Sequence, residues 1–180
     1  TILLILLGFA AAAIVPAQPA TTTRSITIVT EPNSTVWIDD VRYGVTDTQG
    51  RLKIAAVSPG IRSVRVRADG FGQMTKSLPA ASRGDFTVAL TKTTDEAELA
   101  FQSAERMVTV DRDKAIAEYQ RAIKLRPNYV EAYTGLTRAY SDRGDVENAF
   151  KAMQSARRLR PGNAELSAIQ GRLLKDTGEE

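Results

Sequence analysis

Pro127 and Pro161 stand 34 residues apart, and the residues before each follow one pattern. YQRAIKLRPNY at Tyr119–Tyr129 is echoed by MQSARRLRPGN at Met153–Asn163, and KAIAEY at Lys114–Tyr119 is echoed by NAFKAM at Asn148–Met153. A fixed period of this size restricts the fold more than any other feature of the chain. Each unit is too small to bury its own apolar face, so it must stack on its neighbour as a helical hairpin. In the second unit Tyr133, Leu136 and Tyr140 recur at i, i+3 and i+7, one face of a first helix. Gly144 supplies a left-handed stop, and Asp145 caps the next helix. Ala149, Met153 and Ala156 form a narrow face that lets two antiparallel helices approach closely, and Pro161 closes the unit.

This pattern resembles the tetratricopeptide repeat family. Tyr133, Leu136, Thr137, Tyr140, Gly144, Ala149, Met153, Ala156 and Pro161 fill the family's positions in one unit. In the unit before it, Ala115, Tyr119, Ala122 and Pro127 match, and Phe101, Ala104 and Met107 match if one residue is missing from the turn near Asp111. A third unit opens at Asn163, with Gly171, Leu174 and Gly178 in place. The resemblance implies an all-α array of about two and a half units over residues 96–180, with Ala164–Lys175 as a capping helix whose Ser167 and Gln170 face water. It also implies a concave groove, lined by first-helix residues, that takes extended peptides or helices of a protein partner. Those positions are Ala97, Ala100 and Ala104, then Glu131, Thr134, Arg138 and Ser141, then Arg172 and Lys175. Arg138, Arg172 and Lys175 would form a reduced clamp for an acidic peptide; the alternative is a solvated helical face.

From Arg24 to Thr91 the apolar period changes to two. Ile26 and Ile28, Val36 and Ile38, Leu52 and Ile54, Val64 and Val66, and Phe86, Val88 and Leu90 alternate with polar or small residues. Turn signals separate the runs at Glu31-Pro32-Asn33, Asp47–Gly50, Ser58-Pro59-Gly60, Asp69-Gly70 and Arg83-Gly84-Asp85. Even spacing of short strands predicts a small antiparallel sandwich over residues 24–91. TVWIDD with Gly44, and then SPGIRSVRVRADGF at Ser58–Phe71, resemble the PEGA family of envelope β-domains. That resemblance implies a scaffold or binding role with no shared catalytic residues. Residues 92–95 form a joint where the period switches to 3.6, with Thr93 or Thr94 as the N-cap of the first helix.

Ile2–Val15 is almost continuously apolar and falls short of the about 20 residues that span a bilayer. It has the length of a signal-peptide core, with cleavage expected after Ala17 and a Pro/Ala/Thr linker over residues 18–23. The opening at Thr1, without Met or a basic flank, is taken as a truncated start. If uncleaved, residues 2–15 would anchor the chain to the membrane. The expected location is therefore the periplasm or cell envelope.

The chain has neither Cys nor His. That removes thiol chemistry, thiolate metal sites, the commonest general base and the commonest zinc ligand. A net charge of +3 with both signs interspersed is too weak to imply nucleic-acid binding. Three further clusters have ordinary explanations. Arg121, Lys124, Arg126, Arg157, Arg158 and Arg160 fall in last turns of helices, where cations stabilise exposed carbonyls. Trp37 beside Arg65 and Arg67 covers a sheet face rather than stacking a sugar. Asp39, Asp40 and Asp47 form turns and lack the ligand density of a Ca²⁺ loop. No Ser-x-x-Lys spacing or nucleophile–base pair occurs. Together these features describe a non-catalytic, cofactor-free adaptor that binds a protein or peptide. The alternatives are a self-associating envelope spacer and an accessory subunit of an envelope enzyme complex.

Overall fold

A computed structural model of the chain describes residues 23–162 and 164–177. The expectations for the signal or membrane segment and for most of the linker after it lie outside the described residues. Among the described residues seven strands precede the helices: β1 (Arg24–Val29), β2 (Thr35–Ile38), β3 (Val41–Val45), β4 (Arg51–Val57), β5 (Arg62–Arg67), β6 (Met74–Leu78) and β7 (Gly84–Thr87). Five helices follow: α1 (Glu96–Met107), α2 (Arg112–Leu125), α3 (Val130–Arg143), α4 (Val146–Leu159) and α5 (Ala164–Thr177). None of the described helices is long and apolar enough to cross a membrane.

The strands form two sheets, ordered β4-β1-β7 and β3-β2-β5-β6. Their alternating apolar residues meet in one core of Ile26, Ile28, Val36, Ile38, Ile54, Val57, Val64, Val66, Leu78 and Val88. The sandwich is not wholly antiparallel, because β1 pairs with β7 in parallel from Ile26↔Gly84 to Val29↔Thr87. Strands β3 and β6 were not separated by the apolar period. Each lies at an edge of the four-stranded sheet and is largely exposed, so burial leaves no alternation on it. The acidic turn residues serve the backbone. Asp39 and Asp40 adopt positive φ, Asp39 accepts from the Ser63 amide at 2.8 Å, and Asp47 accepts from the Gln49 and Arg51 amides.

The helices stack as two antiparallel pairs closed by α5. Phe101, Tyr119, Tyr129, Leu136 and Tyr140 pack among Ala97, Ala100, Ala104, Ala115, Ala122, Ala132, Ala139, Ala149 and Ala152. Gly144 takes φ 80° at the end of α3, and Asp145 caps α4 through the Asn148 amide. Leu166, Ile169 and Leu173 hold α5 on the stack, while Ser167 faces solvent and Gln170 accepts from Arg157.

Two expectations need correction. Asp95, not Thr93 or Thr94, caps α1, accepting from the Ala97 and Glu98 amides. The joint itself is tied to the sandwich, where Lys92 bridges to Phe71, Thr93 N–H donates to Gly70 O, and Gly72 N–H donates to Thr91 O. Ala97, Ala100 and Ala104 are buried in the helical core rather than lining the groove. On α1 the residues that reach the concave side are Phe101, Gln102 and Glu105.

Candidate partner-binding cleft

The concave face of the helical stack does not open freely to solvent. It faces the outward side of β2 and β5, and the two surfaces enclose a cleft of about 960 Å³. Thr35, Trp37, Arg42, Arg65 and Arg67 form the sheet wall. Gln102, Glu105, Glu131, Thr134, Gly135 and Arg138 form the helical wall, with Arg160 and Glu165 at its rim.

Period-two geometry explains the sheet wall. Val36 and Ile38 point into the sandwich core, so Thr35 and Trp37 point out, and register places Arg67 and Arg65 beside them. The Arg65 guanidinium lies 4.6 Å from the Trp37 ring centroid and pairs with Asp40 at 3.1 Å. Burial pulls its pKa below the usual arginine value against the opposing pull of Asp40, and Glu131 and Arg160 across the cleft also act on it.

The helical wall is organised by Tyr119 of α2. Its ring is fully buried and passes under Gly135, and its hydroxyl donates to Glu105. Arg138 donates to the same carboxylate at 2.9 Å and to Glu165 at 3.0 Å, which ties α1, α3 and α5 together. Burial raises the Tyr119 phenol well above its ordinary value, and Glu105 adds to that, so it remains a neutral donor. Burial alone would lower the Arg138 guanidinium, but Glu105, Tyr119 and Glu165 more than offset it and the net direction is up.

Glu131, Thr134 and Arg138 line the cleft, whereas Ser141, Arg172 and Lys175 do not. Glu131 pairs with Arg160 at 3.4 Å at the rim. Thr134 is a floor residue whose hydroxyl donates back to Val130 O at 3.0 Å. Ser141 is half-buried near the end of α3, Arg172 pairs with Asp142 at 3.3 Å, and Lys175 is exposed on the last helix. Two of the three cations expected to clamp an acidic peptide, Arg138 and Arg172, are thus already matched by carboxylates of this chain.

Sequence reasoning missed Glu98 and Gln102. Both are almost completely buried, and they join the helical half to the sandwich. Gln102 accepts from Gly70 N–H and donates to Phe71 O, each at 2.8 Å, and also donates to Glu98 at 2.9 Å. Glu98 in turn accepts from the Tyr129 hydroxyl and lies 3.5 Å from Arg67 Nε. Burial, followed by this bond to Glu98, holds the Tyr129 phenol above its ordinary value. The signal was available: Glu98, Gln102 and Glu105 stand at i, i+4 and i+7 and form a polar stripe beside the alanines.

A family model, the TPR (tetratricopeptide) repeat, matches residues 111–141. The crystal structure of MamA is similar at 26% identity and a TM-score of 0.46, covering 48% of this chain and 52% of that one. The second TPR domain of human RPAP3, in complex with an HSP70 peptide, is similar at 20% identity and a TM-score of 0.42, covering 44% and 67%. The Arabidopsis OM64 TPR domain is similar at 19% identity and a TM-score of 0.44, covering 46% and 69%. The chain thus spans about half the length of MamA. No curated protein matches it.

Proposed function

We propose that this protein is a non-catalytic adaptor that binds an extended segment of a partner protein in the cleft between α3 and the β2–β5 face. One observation carries the proposal. The concave side of a TPR repeat, the side expected to receive a partner, is provided with a second wall bearing Trp37 and Arg65, and the space between is large enough for several residues of extended chain. The floor at Thr134 and Gly135 is short-chained, so a partner's backbone can lie close to α3. The PEGA-like character of the sandwich and the apolar run at residues 2–15 support placing this adaptor in the cell envelope.

The test is partner capture by the whole chain and by Trp37→Ala and Glu131→Arg variants, with Lys53→Glu on the far sheet as control. The expected result is loss of the same partner from both cleft variants and full recovery with the control, all three keeping wild-type circular dichroism. Equal recovery by all would remove the cleft from consideration.

A second reading, self-association as a spacer, is favoured by the open edge of β3. Val41, Tyr43 and Val45 there are 62%, 41% and 42% exposed, and neither Pro nor Lys protects the edge. Light scattering across a concentration series decides it: a constant monomer mass excludes the spacer.

A further inference from the structure

At the α1 end of the concave face, a segment of the protein's own chain is held in the way a groove holds a peptide. Gln102 reads both the N–H of Gly70 and the carbonyl of Phe71, the outer donor and acceptor of one dipeptide. Three residues upstream, the Arg67 guanidinium lies 4.3 Å from the Phe101 ring centroid, with the Glu98 carboxylate 3.5 Å from its Nε. Glu98, Phe101 and Gln102 are 6%, 2% and 2% exposed with the segment in place. A carboxamide for the backbone of the turn, plus an aromatic face and a carboxylate in ion-pair range of one cation, is a recognition set for a β-turn that follows an arginine.

The contact is a docking of finished surfaces rather than a shared core. The buried apolar residues of the sandwich and of the helices form separate clusters, and polar groups meet between them. Asp69 of the same segment stays at the surface, paired with Arg106 at 3.2 Å.

We propose that Glu98, Phe101 and Gln102 form a receptor for a β-turn that follows an arginine, and that Arg67–Phe71 of the β-sandwich, where Phe71 N–H closes the turn on Ala68 O at 3.2 Å, occupies it in cis and closes it to partners of the same chemistry. The proposal rests on the reading of the concave face as the binding surface, and it gives the first unit's share of that face a sign: it takes a cation. The joint at residues 92–95 is short, so the cis segment stands at an effective concentration of at least about the millimolar range. A peptide in trans therefore binds the intact chain weakly.

The probe is a labelled peptide copying Val66–Gly72, VRADGFG. It is titrated against the intact chain, against Arg67→Ala, and against a chain with a flexible Gly/Ser insert between Thr93 and Thr94. The last two keep the receptor and weaken its occupant. Each should bind the peptide at least about ten-fold more tightly than the intact chain, and adding Glu98→Gln should erase the gain. In the intact chain, excess peptide should accelerate hydrogen exchange at the Gly70 amide. Folded variants that gain no affinity overturn the proposal. So does a Gly70 amide indifferent to peptide, a result that stands even if a variant fails to fold. Loss of partner capture by Trp37→Ala and Glu131→Arg, with no gain here, would remove the cis ligand alone and leave the cleft reading intact.

Discussion

Gly135 lies in the middle of α3, where glycine costs a helix roughly 1 kcal/mol relative to alanine. On propensity alone Gly135→Ala would stabilise the protein; packing reverses the sign. An added Cβ would stand 2.5 Å from Tyr119 Cε1, 2.6 Å from Cζ and 2.9 Å from the hydroxyl oxygen, where ordinary contact begins at 3.4 Å. The ring would have to retreat by roughly 0.5–1 Å. It is fully buried, it leans on Phe101 at 5.9 Å between centroids, and its hydroxyl is committed to Glu105, so it cannot retreat without losing a contact. Overpacking costs about 1–3 kcal/mol, and weakening the bond to Glu105 adds about 1 kcal/mol more. After the propensity gain, the net expectation is a loss of about 1–3 kcal/mol. Gly171 in α5 is the internal control. Nothing lies within 4 Å of its added Cβ, and Gly171→Ala should stabilise by about 0.4–1 kcal/mol. Urea unfolding followed by far-UV circular dichroism measures both. A Gly135→Ala chain as stable as the wild type would refute the close seat of Tyr119 on α3.

The remaining stability predictions use the same assay. Tyr140→Ala, which removes a buried ring and the acceptor for Gln120 Nε2, should cost about 3–5 kcal/mol. Tyr133→Ala should cost less, because that ring is only half-buried against the small cluster of Met153, Ala156 and Leu166. Ala149→Leu should cost about 1–3 kcal/mol by forcing apart the second helical pair, where Ala149 is fully buried. Acid should weaken the helical half through its caps. Asp95 is lowered despite the opposing effect of its slight burial, by the Glu98 amide and Arg126; Asp111 is lowered by Lys114, and Asp145 by Asn148 and Arg143. A depressed carboxylate contributes stability that is present above its unfolded value of about 3.9 and is lost as pH falls through the lower folded value. Melting temperature should therefore drop between about pH 4 and pH 2, and Asn at all three positions, which caps without titrating, should flatten that drop.

The helical half was legible because its signals are local and redundant. Gly144, Asp145 and the alanine faces each point to the same hairpin, and the period of 34 repeats them. The groove of the first unit is not legible from a strict period of 34, because Ala97, Ala100 and Ala104, the positions that period assigns to it, lie in the helical core. In the sandwich, strands with one buried face were legible, but the edge strands β3 and β6 have no buried face to impose a period. The parallel pairing of β1 with β7 is a long-range fact that no local pattern carries. The second wall of the cleft was out of reach for a related reason. Trp37 and Arg65 are distant from α3 in the chain, and long-range contacts such as the docking of Gly70–Phe71 on Gln102 bring the two surfaces together.

If a partner enters between α3 and the β2–β5 face, hydrogen exchange of the whole chain, with and without its captured partner, will show new protection in Thr35–Ile38 and in Val130–Ser141, the elements that wall the cleft. Protection confined to α2 and α4, with both walls of the cleft exchanging as in the free protein, would contradict it.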